Sequence, residues 1–334
     1  MGKTQWVTDV AALEACVGRK NPALDLKVID HLDDLARDWL NCATLGFATL
    51  AGTGTLSATL VNAAELSATR ERLMLPLGAW ESAVEIQPDT RVGTLWLIPG
   101  VRESLRINGK VVQVDGTGVQ IDVDECFGHC GKALIRSDFW QAQTTDHVAA
   151  DLAELVGDAR FLALATVSAN GAADLSPKGD PAGLLLKLIE DELYLAERPG
   201  NRRTDSLRNL LQNPSAALLL LTPGSVGVAR IHARARITAQ PSLCEALSVD
   251  GKTPKLVIHL ADPKVELFPS RILQAAAPWP AAPAPAHIEP ARIFATHIRL
   301  NKARGLSAKL TQTMVAVPGL MDKALESDYK KNLY

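Results

Sequence analysis

The sequence predicts a mainly β fold with flanking helices, an α+β chain built from two similar units. Apolar runs of strand length, bounded by turn signals, carry the first part of this prediction; residues 45–50 and 161–167 are examples. An internal parallel carries the second part, because residues 93–100 (GTLWLIPG) match residues 217–224 (ALLLLTPG) in pattern. We therefore expect two strand-rich domains in tandem.

Composition sets limits on the class of protein. The 334 residues are 47% hydrophobic, which is enough for two separate cores, and the net charge of −2 gives no overall field that would attract nucleic acid. No apolar run is long enough to span a bilayer, and the first residues lack the apolar core of a signal peptide. Five cysteines, few and odd in number, favour a reducing compartment, so we expect a cytoplasmic protein.

The first half is predicted to be a helical segment followed by a strand-rich domain. Residues 1–40 form the helical segment, in which residues 28–40 carry a helical apolar stripe, and residues 41–145 form the first domain. Its predicted strands cover residues 45–50, 55–61, 72–77, 93–98 and 102–114. We expect a bulge or turn in the last of these, at Asn108-Gly109.

A polar linker and a short helix then lead into the second strand-rich domain, residues 150–275. Its predicted strands include residues 193–196, 216–221 and 228–238. Residues 276–334 comprise a semi-rigid Pro/Ala segment and a tail of helical composition.

A turn followed by a short helix is the most informative stretch of the second domain. Pro199-Gly200-Asn201 is turn chemistry, Arg202 and Arg203 follow it, and an apolar stripe then indicates a helix that Asn213-Pro214 ends. Helix entrances favour anions, and two guanidinium groups would strengthen that preference for a phosphate. A solvated, purely structural turn is the alternative.

A second cluster, Ser176-Pro177-Lys178-Gly179, ends a predicted strand upstream of this turn. A hydroxyl, an ammonium and a glycine that permits close backbone approach also suit a polar or anionic ligand. Taken alone, the cluster would be interpreted as an ordinary charged loop.

Together these stretches resemble a known family. The segments DLSPKGDPAGLLL, LYLAERPGNRRTDSLRNLLQNPSAALLLLTPG and ECFGHCGKALIRSDFW resemble the pyridoxamine 5'-phosphate oxidase-related, FMN-binding split-barrel proteins. The third segment precedes the other two here, whereas it follows them in a single-copy member. The resemblance and the internal parallel together imply two tandem FMN-binding split β-barrels that form an intrachain pseudo-dimer.

The resemblance also implies a composite flavin site. In this family the phosphate turn and the last segment come from different subunits of a homodimer. Here the second unit keeps the turn but has largely lost the last segment, with Arg271 and Trp279 as remnants. The first unit has Glu81 and Glu85 at the place of the turn and keeps the last segment. One FMN per chain is therefore expected. The residues expected to bind it are Ser176, Lys178, Gly179, Asn201, Arg202, Arg203, Ser206, Lys132, Arg136 and Trp140.

Several features have more than one interpretation from the sequence. Trp140 suits either a flavin edge or the cover of a barrel mouth. The alternating face of strand 228–238, with three arginines and a histidine, suits a ligand wall, a solvated face or a dimer face. Cys126, His129 and Cys130 lack the usual spacing of a zinc site, so no metal is expected.

The function expected from the resemblance is an FMN-dependent oxidoreductase acting on a small molecule, with a nicotinamide as a possible electron donor and no assigned catalytic side chain. The alternatives are a flavin-binding or sensing module without turnover, a relative that uses deazaflavin or haem, and a cofactor-free structural protein. We expect neither nucleic acid nor a membrane as partner. Either a monomeric pseudo-dimer or a homodimer fits the sequence.

Overall fold

The computed structural model describes residues 5–82, 86–200, 203–302 and 319–334. The strands are β1 (Trp6–Val7), β2 (Leu45–Gly52), β3 (Thr55–Asn62), β4 (Ser67–Ala68), β5 (Arg72–Leu75), β6 (Arg91–Leu97), β7 (Ser104–Asp115), β8 (Gly118–His129), β9 (Phe161–Val167), β10 (Ala173–Gly179), β11 (Leu186–Ile189), β12 (Glu192–Glu197), β13 (Ser215–Leu221), β14 (Gly227–Thr238) and β15 (Leu256–Pro269). The α-helices are α1 (Val10–Val17), α2 (Asp34–Cys42), α3 (Lys132–Arg136), α4 (Leu152–Asp158), α5 (Asp205–Gln212), α6 (Pro241–Ala246), α7 (Arg271–Ala276), α8 (Pro290–Leu300) and α9 (Leu320–Lys331).

The strands form two antiparallel sheets with the same connectivity. The first sheet has the order β3-β2-β6-β7-β8-β5-β4, and the second has the order β10-β9-β13-β14-β15-β12-β11, with β1 paired to β14. Each strand of the first sheet thus has a counterpart at the same place in the second. The bulge expected at Asn108-Gly109 is confirmed by a register shift between β7 and β8. The mainly β class is confirmed, whereas barrel closure and tandem duplication stay predictions.

Three large hydrophobic cores of the described chain pack against the sheets. One lies under the first sheet, with Trp39, Trp80 and Trp96 among its largest side chains, and one lies under the second sheet and is mainly leucine. A third core lies between the sheets, where Phe47 of β2 meets Phe161 of β9 with ring centres 5.4 Å apart. The two units therefore share buried surface within one chain.

The short helix after each unit's last strand packs on the other unit. Helix α3 follows β8 and contacts β10, while α7 follows β15 and contacts β3. This exchange places α3 of the first unit beside the strand end and turn of the second. It also corrects one expectation, because the second unit was expected to have lost this element, yet it carries α7.

One further expectation differs from the structure. The helix expected over residues 28–40 begins only at Asp34, because Ile29 forms a bridge with Cys126 and the Asp33 carboxylate caps the helix at the Ala36 N–H. The first residues of the chain pack on the second sheet. Leu13 lies in the second core, so α1 and β1 cover that unit.

Candidate functional site

The predicted phosphate turn and helix border a cleft of about 730 Å³. Helix α5 starts at Asp205, and its N-cap Thr204 makes no side-chain cap hydrogen bond. Thr204, Arg198, Gly200 and Arg203 line the cleft together with the exposed Lys252 and Lys255. The volume lies within the usual range for small-molecule sites. Asn201 and Arg202, both expected ligands, lie outside the described residues.

The charge at the start of α5 is mixed. Arg203 stacks over Phe127, with its guanidinium carbon 4.0 Å from the ring centre, and its Nε donates to Asp205 at 2.7 Å. Burial opposes ionisation of Asp205, but Arg203 and Lys20 lower its pKa, so it stays charged. Lys252 and Lys255 are exposed on the same cleft, so cationic groups still outnumber anionic ones around this entrance.

The end of β10 lies behind this cleft and faces the first unit. Ser176, Lys178 and Gly179 line a small inner cavity of about 60 Å³. Lys178 donates to Glu197 at 2.5 Å. A Cβ on Gly179 would lie 2.0 Å from the Ala133 carbonyl oxygen. The glycine thus permits close approach of α3, a role that the sequence had suggested for a ligand.

Helix α3 supplies the opposite wall of the inner cavity. Lys132 pairs with Asp328 of α9 at 2.8 Å. Arg136 donates to the Pro199 carbonyl at 2.5 Å and, through Nε, to the Leu333 carbonyl at 2.7 Å. Burial lowers the pKa of Arg136. The cations expected from both units are therefore brought together, and the chain's own groups bind them.

A buried polar network joins the two units below this site. Arg106 of β7 donates to Asp174 of β10 at 2.5 Å, and Ser206 donates to the other carboxylate oxygen at 3.2 Å. Both partners of the ion pair are almost fully buried, so either one alone would leave an uncompensated charge. Ser206 therefore fixes α5 to β10, and it does not line either cavity.

Trp140 also lies away from the cavities. Its indole N–H donates to the Val101 carbonyl at 2.6 Å, and its ring packs edge-on against Phe139 in the core between the sheets. Of the two interpretations left open by the sequence, the structure places Trp140 among core residues. Trp279 has a similar place, since its indole N–H donates to the Phe139 carbonyl at 2.7 Å.

The corresponding place in the first unit holds a protein carboxylate. Glu81 accepts hydrogen bonds from the Arg271 N–H at 3.2 Å and the Ile272 N–H at 3.1 Å, at the start of α7. Ser270 also donates to it. A carboxylate that is already bound there would repel a phosphate, in line with the loss of this site expected from the sequence. Glu85 lies outside the described residues.

Some residues of the site had no signal in the sequence. Asp328, Asn332 and Tyr334 form part of the outer cleft, although the tail is far from the turn along the chain. Lys27 is buried near Arg106 and Arg203, with its ammonium 5.0 Å from the Phe294 ring centre. Only tertiary structure brings these groups to the site.

The inner cavity also contains two titratable groups of the first unit, His129 and Cys130. Burial lowers the pKa of His129 well below its usual value, and the nearby cations Arg106, Lys27 and Arg203 add to that effect. The imidazole is therefore neutral at physiological pH. Its Nδ1 lies 3.2 Å from the Cys130 carbonyl oxygen, which can only accept, so Nδ1 donates and Nε2 is an acceptor, with no charge added to the cavity.

The fold and site define a two-sheet β protein with a cationic cleft at a helix entrance. Residues 148–268 match the sequence model described as pyridoxamine 5'-phosphate oxidase. This segment carries β9 to β14, nearly all of β15, and α5, and within it the chain is related to that family. The family resemblance expected from the sequence is thus confirmed for the two stretches that lie in this segment. No curated protein matches the chain in sequence comparison.

Several solved structures match about a third of the chain. HupZ from Group A Streptococcus is 20% identical, with 36% of this chain and 93% of that chain covered and a TM-score of 0.28. General Stress Protein 26 from Bacillus anthracis str. Sterne is 14% identical, with 35% and 90% covered and a TM-score of 0.27. A protein related to general stress protein 26 (pyridoxinephosphate oxidase family) from Clostridium acetobutylicum is 16% identical, with 35% and 89% covered and a TM-score of 0.24. At these values none of the three likenesses bears on function.

Within the described parts of the chain, none of the helices is both long and apolar enough to cross a bilayer.

Proposed function

We propose that this chain is an FMN-binding flavoprotein and an oxidoreductase acting on a small molecule. The proposal is based on one observation, the cationic cleft of about 730 Å³ at the start of α5. Most of the residues that line this cleft belong to the segment related to the pyridoxamine 5'-phosphate oxidase family. Bound FMN would supply hydride or electron transfer, and the chain would hold and orient it.

The phosphate end of FMN fits the entrance of the cleft. Backbone N–H groups in the first turn of α5 have no side-chain cap from Thr204, and a phosphate at a helix start is stabilised by such groups. Arg203, Lys252 and Lys255 add positive charge on the same wall. Asn201 and Arg202 remain proposed ligands on the strength of the family resemblance.

The ring end of FMN fits less directly. The inner cavity of about 60 Å³ is too small for a three-ring system, and Lys132, Lys178 and Arg136 already bind groups of the chain. We therefore place the ring in the outer cleft, against Arg198. Ser206 and Trp140 then support the site from below and are not ligands.

The composite nature of the site also supports a tandem duplication. The two sheets have the same strand order, and each unit's short helix contacts the other unit. Glu81 fills the counterpart of the phosphate site in the first unit. We accordingly propose a monomeric pseudo-dimer with one FMN per chain, and two bound flavins would contradict it.

A titration with FMN and with riboflavin, which lacks the phosphate, tests the proposal. The full chain should bind one FMN at least about tenfold more tightly than riboflavin, because only FMN can use the cationic entrance. The double variant Lys252→Met/Lys255→Met and the variant Arg203→Met should lose most of that difference. Lys264→Met, an exposed lysine on β15 outside both cavities, is the matched control and should retain it.

Three outcomes would overturn the proposal or restrict it to flavin binding without turnover. Equal affinity for FMN and riboflavin would remove the phosphate site, and a chain that binds neither would remove the flavin. Bleaching of the bound flavin by NADH or NADPH is expected of an oxidoreductase with a nicotinamide donor. A bound flavin that no nicotinamide or other reductant can bleach would instead leave a binding or sensing module.

A further inference from the structure

The segment after α9 lies in the cleft as a ligand would. Tyr334 places its ring 5.2 Å from the Arg136 guanidinium carbon and 5.8 Å from that of Arg198. The neighbouring Leu333 carbonyl accepts from Arg136. An aromatic ring over two guanidinium groups, with an acceptor beside it, is the same set of contacts that a flat heteroaromatic ligand would make there.

The two guanidinium groups stay in place without Tyr334. Arg198 donates to the buried Asp180 at 2.6 Å, and Arg136 also donates to the Pro199 carbonyl. Each guanidinium group therefore has a partner in the cleft wall besides Tyr334, whose side chain also hydrogen-bonds to Asp180. A different aromatic ring could occupy the platform that these two arginines form, with little rearrangement of the arginines.

The α9 helix is anchored separately from this end. Tyr329, which is buried, accepts from the Gly131 N–H at 2.9 Å and donates to Glu103 at 2.8 Å. Leu333 and Tyr334 are only half-buried, and they lie beyond the last helical residue, Lys331. The helix can therefore keep its place while the residues after it move.

We propose that residues 332–334 are a displaceable plug, which competes with the ring of the ligand for Arg136 and Arg198. This inference rests on the proposed flavin function for the identity of the ligand, although the plug itself is defined by contacts within the chain. Tyr334 would occupy the arginine platform when the cleft holds no ligand. Ligand binding would then expel the ring and leave α9 attached through Tyr329.

The test combines a ligand-free and a ligand-bound measurement on the full chain. Arg136 is covered by the plug, so its modification by phenylglyoxal, measured by peptide mass spectrometry, should be several-fold faster in Tyr334→Ala than in the wild type. FMN affinity should rise by about tenfold in the same variant, since the ligand no longer displaces a stacked ring. Lys331→Ala, an exposed residue next to the plug, is the control and should change neither measurement.

The outcomes separate the plug from the flavin. Unchanged labelling of Arg136 in Tyr334→Ala would overturn the plug, whatever happens to FMN. Faster labelling with weaker FMN binding would make Tyr334 part of the binding wall and would also overturn it. If FMN binds neither protein, the flavin proposal fails, and the plug then stands or falls on the labelling alone.

Discussion

At the scale of single residues, the site depends on charges that are buried together. Lys27 and Arg106 lie near one aromatic ring, that of Phe127, at 6.0 Å and 5.1 Å from its centre. Arg106 has Asp174 as an ion-pair partner, whereas the contacts of Lys27 in the described chain are with the rings of Phe127 and Phe294. Desolvation of the Lys27 ammonium is therefore poorly offset.

Lys27→Met should stabilise the protein at neutral pH. Burial lowers the pKa of Lys27 to about 8 from its ordinary 10.5; Arg203 and Arg106 act in the same direction, and Cys130 and Asp205 act against it. The unfolded state thus binds more protons between these values, and stability should rise with pH through that window. The penalty is complete below pH 8, so the variant should gain roughly 3 kcal/mol at pH 7 and little near pH 10.5.

Urea denaturation at several pH values measures this effect. Lys264→Met, on an exposed face of β15, is the control and should stay within about 0.5 kcal/mol of the wild type at each pH. A loss of stability in Lys27→Met at pH 7 would show that the charged form is favoured by its surroundings. No sequence pattern indicated this residue, because its burial is created by α8 and β8 together.

At the scale of elements, most strands of the two sheets could be predicted from apolar runs and turns. Strands β2, β3, β6, β9 and β13 fall within two residues of their expected bounds, because each contains a run of at least four consecutive buried side chains. Helix α5 also ends at Asn213, where Asn-Pro predicted it. The packing of α3 and α7 on the opposite units could not be predicted in this way, because it depends on contacts between residues far apart in sequence.

Gly179→Ala tests the close contact between β10 and α3. Its Cβ would lie 2.0 Å from the backbone oxygen of Ala133, so the strand or the helix must move, and we expect a loss of at least about 2 kcal/mol in the free energy of unfolding. FMN affinity should also fall, because Lys132 and Arg136 move with α3. Urea denaturation and flavin titration measure the two effects.

The control for that contact is Gly116→Ala, in the turn between β7 and β8. An added Cβ there meets no atom within 4 Å, and the backbone is not in the left-handed region, so stability should change by less than about 0.5 kcal/mol. A Gly179→Ala protein as stable as this control would mean that α3 can withdraw from β10 without cost.

At the scale of the whole molecule, the core between the sheets should make unfolding a single event. Phe47 and Phe161 come from different sheets, both are fully buried, and their rings are in contact. Each change to alanine should cost about 3–5 kcal/mol. In the double variant the loss should be smaller than the sum by at least about 0.5 kcal/mol, because the two rings interact.

Two spectroscopic probes can follow this coupling. Three of the six tryptophans, Trp39, Trp80 and Trp96, lie in the core of the first sheet, so fluorescence is weighted toward that sheet, while circular dichroism reports on both sheets. Phe161→Ala, a change in the second sheet, should shift both transitions by the same amount of denaturant. Two separated transitions, or a fluorescence transition that Phe161→Ala leaves in place, would mean that the units unfold independently.

The overall division into two strand-rich units was available from the sequence, while the assembly of the cleft was only partly so. The resemblance pointed to cations from both units, and the structure brings Lys132 and Arg136 beside Lys178 and Arg203. The ion pairs with Asp328 and Glu197 and the hydrogen bond with Leu333 could not be predicted from the sequence. Those contacts depend on where the residues around α9 lie, and no periodicity along the chain encodes that position.

The core between the sheets has one more consequence, which concerns dilution. Because both halves of the cleft belong to one polypeptide, their meeting is an intramolecular event with a fixed effective concentration. A cleft assembled from two separate chains disappears when the protein is diluted below the dissociation constant of the pair. This one keeps the same geometry in a single isolated molecule, and its two halves are always present in equal numbers.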